Sequence, residues 1–95
     1  SNFQKSERDF AFVIEKSFKV GLLEKLIKEV DENIIQKVIT FDVFEGENIP
    51  KDKKSVAINI TLQAINKTLS EKDLDQISQK IIEVVKEKTG ATIRS

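Results

Sequence analysis

The chain has no cysteine, histidine, tryptophan, tyrosine or methionine among its 95 residues, and only one proline and three glycines. Without Cys or His, the common thiolate and imidazole metal ligands are missing, as are the cysteine nucleophile and the histidine general base. A redox or hydrolytic enzyme is therefore not expected, and neither is a bound metal or cofactor. No apolar run approaches the roughly 18 residues of a membrane-spanning helix, and the start lacks the charged-then-apolar pattern of a secretory signal. The expectation is a soluble, cytoplasmic chain with no membrane partner. Neither sign of charge is in excess, because 16 basic and 16 acidic side chains cancel. That balance argues against a free-standing protein that grips nucleic acid by phosphate neutralisation alone. At 10.8 kDa the chain suits one domain. Ser1 and Asn2 read as a cleavage scar, with residues 1–6 as scar and linker and 7–95 as the domain.

What is present is organised around Lys37 to Leu62. Two apolar-alternating runs are joined there by a loop that holds Pro50, Gly46 and a lysine cluster, the pattern of a long β-hairpin. Successive side chains of a strand point oppositely. In the first run Val38, Thr40, Asp42 and Phe44 thus fall on one face, with Ile39, Phe41 and Val43 on the other. In the second, Val56, Ile58, Ile60 and Leu62 oppose Ser55, Ala57, Asn59 and Thr61. One face is expected to be greasy and the other small and polar, with a single aromatic, Phe44, on the polar side.

Asp9 to Glu15 reads as the first strand, with Phe10, Phe12 and Ile14 facing one way and Asp9, Ala11 and Val13 the other. From about Lys19 to Asp31 the period lengthens. Leu22, Leu23, Leu26, Ile27 and Val30 recur at helical spacing, and Ser17 is a candidate cap. Hairpin strands near Ile35 to Glu45 and Lys54 to Gln63 follow. Ser70 then signs the start of a second helix, with Asp73 as its capping-box partner and Leu69 and Leu74 as a hydrophobic staple. Leu74, Ile77, Ile81, Ile82 and Val85 form its apolar stripe, and Gly90 supplies a left-handed stop. Ala91 to Arg94 suffices for a short last strand, with Ile93 inward and Thr92 and Arg94 outward. These elements pack most economically as an α+β, ferredoxin-like βαββαβ sandwich: a four-stranded antiparallel sheet with both helices on one face.

The other face is left bare. Parity assigns to it Asp9, Ala11 and Val13, then Thr40, Asp42 and Phe44, then Ser55, Ala57, Asn59 and Thr61, and finally Thr92 and Arg94. Phe44 suits a stacking platform for a nucleic-acid base. An edge position, or one covered by a neighbouring domain, gives the same pattern. Lys51, Lys53 and Lys54 at the hairpin tip can meet phosphates or simply be solvated. Asp42 and Ser55 are small groups able to read a base edge, although half-exposed strands carry such residues in any case. The many carboxylates fall on polar helix faces or loops with no paired acid and base. The glycines do not form a phosphate-cradling loop.

At these residues the sequence resembles a known family. Arg8-Asp9-Phe10-Ala11-Phe12-Val13, Phe41-Asp42-Val43-Phe44-Glu45-Gly46, Ile49-Pro50, Lys53-Lys54-Ser55-Val56-Ala57, Thr61-Leu62 and Thr68-Leu69-Ser70 occur in order. They are similar to the C-terminal ferredoxin-fold anticodon-binding (FDX-ACB) domain of bacterial phenylalanyl-tRNA synthetase β subunits, from about Glu7 to Arg94. The resemblance implies a tRNA-binding module without a catalytic site of its own, inside an aminoacyl-tRNA ligase that uses ATP and Mg2+ elsewhere. Its implied partners are the anticodon stem-loop of tRNA(Phe), the rest of the β subunit and the α subunit of a heterotetramer. By the same resemblance Phe44 stacks near the first anticodon base, Asp42 and Ser55 are its polar companions, and Ala11 lies beneath them. Lys54 meets backbone phosphate, with Lys53, Lys51 and Arg94 nearby. The family commonly has Tyr where this chain has Phe44, which keeps the stacking surface and loses a phenolic hydrogen bond. A neutral module fits this role, because tethering supplies a high effective concentration. Two other readings share the strand order: an amino-acid-sensing regulatory domain, and a structural domain that uses its open face against another protein.

Overall fold

The structure is a computed structural model that describes residues 3–94. The reading of Ser1 and Asn2 as a scar lies outside the described residues. In chain order the elements are β1 (Ser6–Glu15), α1 (Val20–Lys28), β2 (Ile35–Phe44), β3 (Lys53–Leu62), α2 (Glu71–Thr89) and β4 (Thr92–Ile93). The strands form one antiparallel sheet in the order β2-β3-β1-β4, the arrangement of the ferredoxin-like sandwich.

One side of that sheet makes the core. Val56, Ile58, Ile60 and Leu62 of β3 are fully buried, beside Phe10, Phe12 and Ile14 of β1. Leu23 and Ile27 from α1 and Leu74, Ile77, Ile81 and Val85 from α2 complete the same cluster, so both helices cover this side. Each such aliphatic side chain contributes about 1.5–3 kcal/mol on leaving water. The rings of Phe10 and Phe12 stack 5.8 Å apart along β1.

The helices begin differently. At α2 the Ser70 hydroxyl accepts from the Asp73 N–H at 3.1 Å while the Ser70 N–H donates to the Asp73 carboxylate at 2.9 Å, closing the expected capping box. That backbone N–H, then the Ser70 hydroxyl and the nearby Lys67 hold the Asp73 carboxyl below its ordinary value. Gly90 ends the helix at φ 76°, donating its N–H to the Lys86 carbonyl. By contrast, α1 starts after Lys19 with no side-chain cap, so Ser17 does not play the capping role its position suggested. It is also shorter than its periodicity, and Leu22 is left exposed.

The largest departure is in β2. Its pairing with β3 carries one extra residue between Ile35 and Lys37 and another between Thr40 and Asp42. Each bulge inverts the alternation, and the second undoes the first. Between them Val38 and Thr40 sit opposite buried Ile60 and Ile58, while Ile39 sits opposite Asn59. Thr40 is therefore on the helix side, not the bare side, and Ile39 is on the bare side. Thr40 donates from both N–H (3.2 Å) and hydroxyl (2.7 Å) to the Glu24 carboxylate of α1, which explains how a polar residue is satisfied there. Beyond the second bulge Asp42 pairs with Ala57 and Phe44 with Ser55, on the bare face as their parity predicts. Val43 pairs with buried Val56 on the helix side, as its parity predicts, but stays exposed, and Phe41, the extra residue of that bulge, is exposed as well.

Candidate nucleic-acid interface

The strand register arranges the helix-free face in cross-strand rows. Phe44, Ser55, Val13 and Thr92 make the first, Asp42, Ala57 and Ala11 the second, and Ile39, Asn59 and Asp9 the third. Asn59 donates to Asp9 at 2.8 Å, which fixes the third row. The two alanines of the second leave a shallow floor beside Asp42.

Phe44 stands at the end of β2 and is 41 % exposed. Two features set its orientation. The ring lies against Gly46, where an added Cβ would come within 2.9 Å of Phe44 Cε2 and closer still to Cζ. The Arg94 guanidinium carbon also sits over the ring, 5.4 Å from the centroid. The Arg94 N–H bonds to the Ala11 carbonyl at 2.7 Å, so its side chain starts beside β1 and crosses toward β2, above the first row. Ser55 lies within this row at 4 % exposure, the one buried polar side chain among the described residues. No buried side-chain nitrogen or oxygen among the described residues is left without a hydrogen-bond partner. Ser55 is thus on the predicted face but covered, where an open hydroxyl was expected.

The lysines separate. Lys53 pairs with Glu15 across the strands and donates to its carboxylate at 2.9 Å. That hydrogen bond is the main reason its ammonium is held above the ordinary lysine value. Lys54 pairs with buried Ile14 and donates to the Phe18 carbonyl at 2.6 Å, which turns it to the opposite side of the sheet from Phe44. Lys51 is exposed at the hairpin tip, and Lys16 is tied to Glu45 at 3.1 Å. The tip is therefore charge-balanced rather than a basic cluster.

Three residues of this surface escape a reading by alternation. Ile39 and Lys37 reach it only because of the bulges, which leave no mark in apolar periodicity. Gly46 has an ordinary backbone, since the positive φ among the described residues belongs to Gly90. Its lack of a side chain makes room for a ring, and an aromatic two residues before a loop glycine is the only hint of that. No group of three or more acidic, Cys or His side chains that could hold a metal ion occurs among the described residues. None of the described helices is long and apolar enough to cross a membrane.

A βαββαβ sandwich with one bare, aromatic-bearing sheet face defines the class, and the chain belongs to the ferredoxin-fold anticodon binding domain family, whose model matches residues 1–94. Particular relatives narrow this further. The chain is 38 % identical over 94 residues to the phenylalanine–tRNA ligase beta subunit of Mesorhizobium japonicum, covering 99 % of this chain and 12 % of that protein. Proteins of the same name from Bradyrhizobium diazoefficiens (39 % over 95 residues, 100 % of this chain, 12 % of that one) and Bartonella quintana (40 % over 94 residues, 99 % and 12 %) are similarly related. The chain thus spans about 12 % of the length of these relatives.

Proposed function

We propose that the chain is the tRNA-binding module of a phenylalanine–tRNA ligase β subunit, and that its bare sheet face holds the anticodon stem-loop of tRNA(Phe). The observation that carries this reading is an exposed phenyl ring, Phe44, on the helix-free face of a member of an anticodon-binding family. Unpaired RNA bases are recognised by stacking on such rings and by hydrogen bonds to their edges. In this reading Phe44 stacks one base, Asp42 and the Ser55 hydroxyl meet its edge, and the Ala11–Ala57 floor lets the loop approach. Lys51 lies at the rim for the backbone, and Lys53 would exchange Glu15 for a phosphate. Lys54, turned to the helix side, has no part in it.

The module would work in the cytoplasm as part of a heterotetramer with the remainder of its own subunit and an α subunit. ATP and Mg2+ chemistry would belong to that remainder, and this module would contribute RNA contact without a catalytic group. Exposed Ile39, Phe41 and Val43 at the edge strand favour one addition: the β2 edge also suits packing against protein.

Titration of the chain and its Phe44→Ala variant with the tRNA(Phe) anticodon stem-loop tests the reading. Binding is expected to be weak, to fall with salt, and to lose about 1–3 kcal/mol in the variant. Equal affinities would remove the stacking role. An amino-acid sensor or a purely structural domain would show no binding to the RNA at all.

A further inference from the structure

The strand register places Lys37 and Lys53 on the helix-free face, and the two are held differently. Lys53, opposite Glu15, is matched by that carboxylate at 2.9 Å. Lys37, opposite Thr61, is exposed, and its ammonium makes no ion pair or hydrogen bond among the described residues. The first bulge of β2 is what puts Lys37 there. Unbroken alternation from buried Ile35 would carry both Lys37 and Ile39 to the helix side. For the core the inversion is a poor exchange. Ile39 is left 41 % exposed, and Thr40, turned inward instead, is satisfied only by two hydrogen bonds to Glu24. What the inversion supplies lies outside the core: a free cation aimed onto the bare face, in keeping with the way edge bulges re-aim a side chain.

Lys37 and Phe44 stand at opposite ends of that face. Their partners on β3 are Thr61 and Ser55, a separation of about 20 Å at roughly 3.3 Å per residue. A stacked nucleic-acid strand carries a phosphate about every 3.4 Å along its axis, so this span corresponds to on the order of six nucleotides, more than an anticodon triplet. The rows between the two ends carry Asp42 and Asp9. Carboxylates repel phosphate but accept hydrogen bonds from base N–H groups, so the middle of the face favours bases and its far end favours backbone.

Resting on the function proposed above, we propose that Lys37 is a phosphate contact for the stem of the RNA, so that one rigid sheet face grips the stem-loop at two separate points. This contact carries no base identity. It sets the direction in which the stem leaves the loop, along β3 toward Thr61, as backbone contacts fix register and orientation. A lysine suits the task, because its ammonium meets phosphate as a compact point charge with rotatable donors.

Lys37→Ala and Lys37→Arg are compared with the unsubstituted chain by fluorescence anisotropy over a salt series. The probes are the tRNA(Phe) anticodon stem-loop, the same stem with an altered anticodon, and stem-loops in which one phosphate at a time is a neutral methylphosphonate. Lys37→Ala is expected to weaken both anticodon sequences by the same factor, about 2- to 10-fold, and to lower the salt slope by about 0.7–0.9. Lys37→Arg should restore both, and the unfolding midpoint should stay unchanged because the side chain is already in water. One methylphosphonate in the stem should abolish the difference between the unsubstituted chain and Lys37→Ala. An unchanged slope in Lys37→Ala, or a loss confined to one anticodon sequence, would overturn the phosphate contact. Equalisation by a methylphosphonate in the loop, or by none, would overturn its assignment to the stem. Absence of binding by the unsubstituted chain would instead defeat the anticodon reading on which the contact stands.

Discussion

Strands β2 and β3 are bonded to each other along their length, yet they are held in very different ways. β3 has a neighbour on each side, and its four core residues from Val56 to Leu62 are sealed from water. An extra residue in β3 would move every following side chain to the wrong face of two ladders at once. β2 is an edge strand with one neighbour, so it accommodates two extra residues and leaves Ile39, Phe41, Val43 and Phe44 exposed. Bulges are frequent at sheet edges, where they re-aim side chains and blunt pairing with other chains. The central strand thus carries stability, and the edge strand is free to carry a surface.

The sharpest test of this contrast is a pair of truncations in the same ladder. Ile60→Ala in β3 should cost about 2–5 kcal/mol in denaturant unfolding, whereas Ile39→Ala in β2 should cost less than about 1 kcal/mol because its side chain is already wet. Similar losses would break the comparison. A smaller effect is expected where β2 is pinned to α1. Thr40→Val removes the hydroxyl donor to Glu24 and should cost about 1–2 kcal/mol, and most of that loss should vanish in a Glu24→Ala background. If it persists there, the inverted segment is held by packing and not by this bond.

The smallest effects should lie at α2, remote from both strands. Ser70→Ala removes one half of the capping box and should cost about 1 kcal/mol without altering RNA affinity. The other half is titratable. The Asp73 carboxyl is lower in the folded state than unfolded, so its contribution is complete above the unfolded carboxylate pKa and is lost as pH falls through the folded one. Amide exchange should accordingly rise first at the start of α2 on acidification, and Asp73→Asn should flatten that pH dependence. An unchanged profile in the variant would assign the acid sensitivity elsewhere.

The same contrast explains what was legible in the residues. The face assignments from Ser55 to Leu62 on β3 hold, and so do those of Phe10, Phe12 and Ile14 of β1, because burial on one side enforces strict alternation. Ser70, Asp73 and Gly90 mark α2 through short-range hydrogen bonds and backbone geometry that are fully local. In β2 only Asp42 and Phe44 fall where parity places them among the polar-face residues, and they do so because two inversions cancel. Thr40 and Ile39, between the bulges, are reversed. Lys53 and Lys54 are adjacent in the chain, yet one step along a strand is a change of face. The approach of Arg94 to Phe44 joins residues distant in sequence, and no local pattern records it.

Gly46 has a consequence for variation at a position that need touch no ligand. Any side chain there meets the tip of the Phe44 ring rather than backbone. The ring can rotate away, so such a change would be tolerated by the fold and felt in the direction the aromatic faces. Sequence drift in this loop would therefore alter recognition while leaving melting behaviour nearly untouched, a defect that screens for folding would pass over.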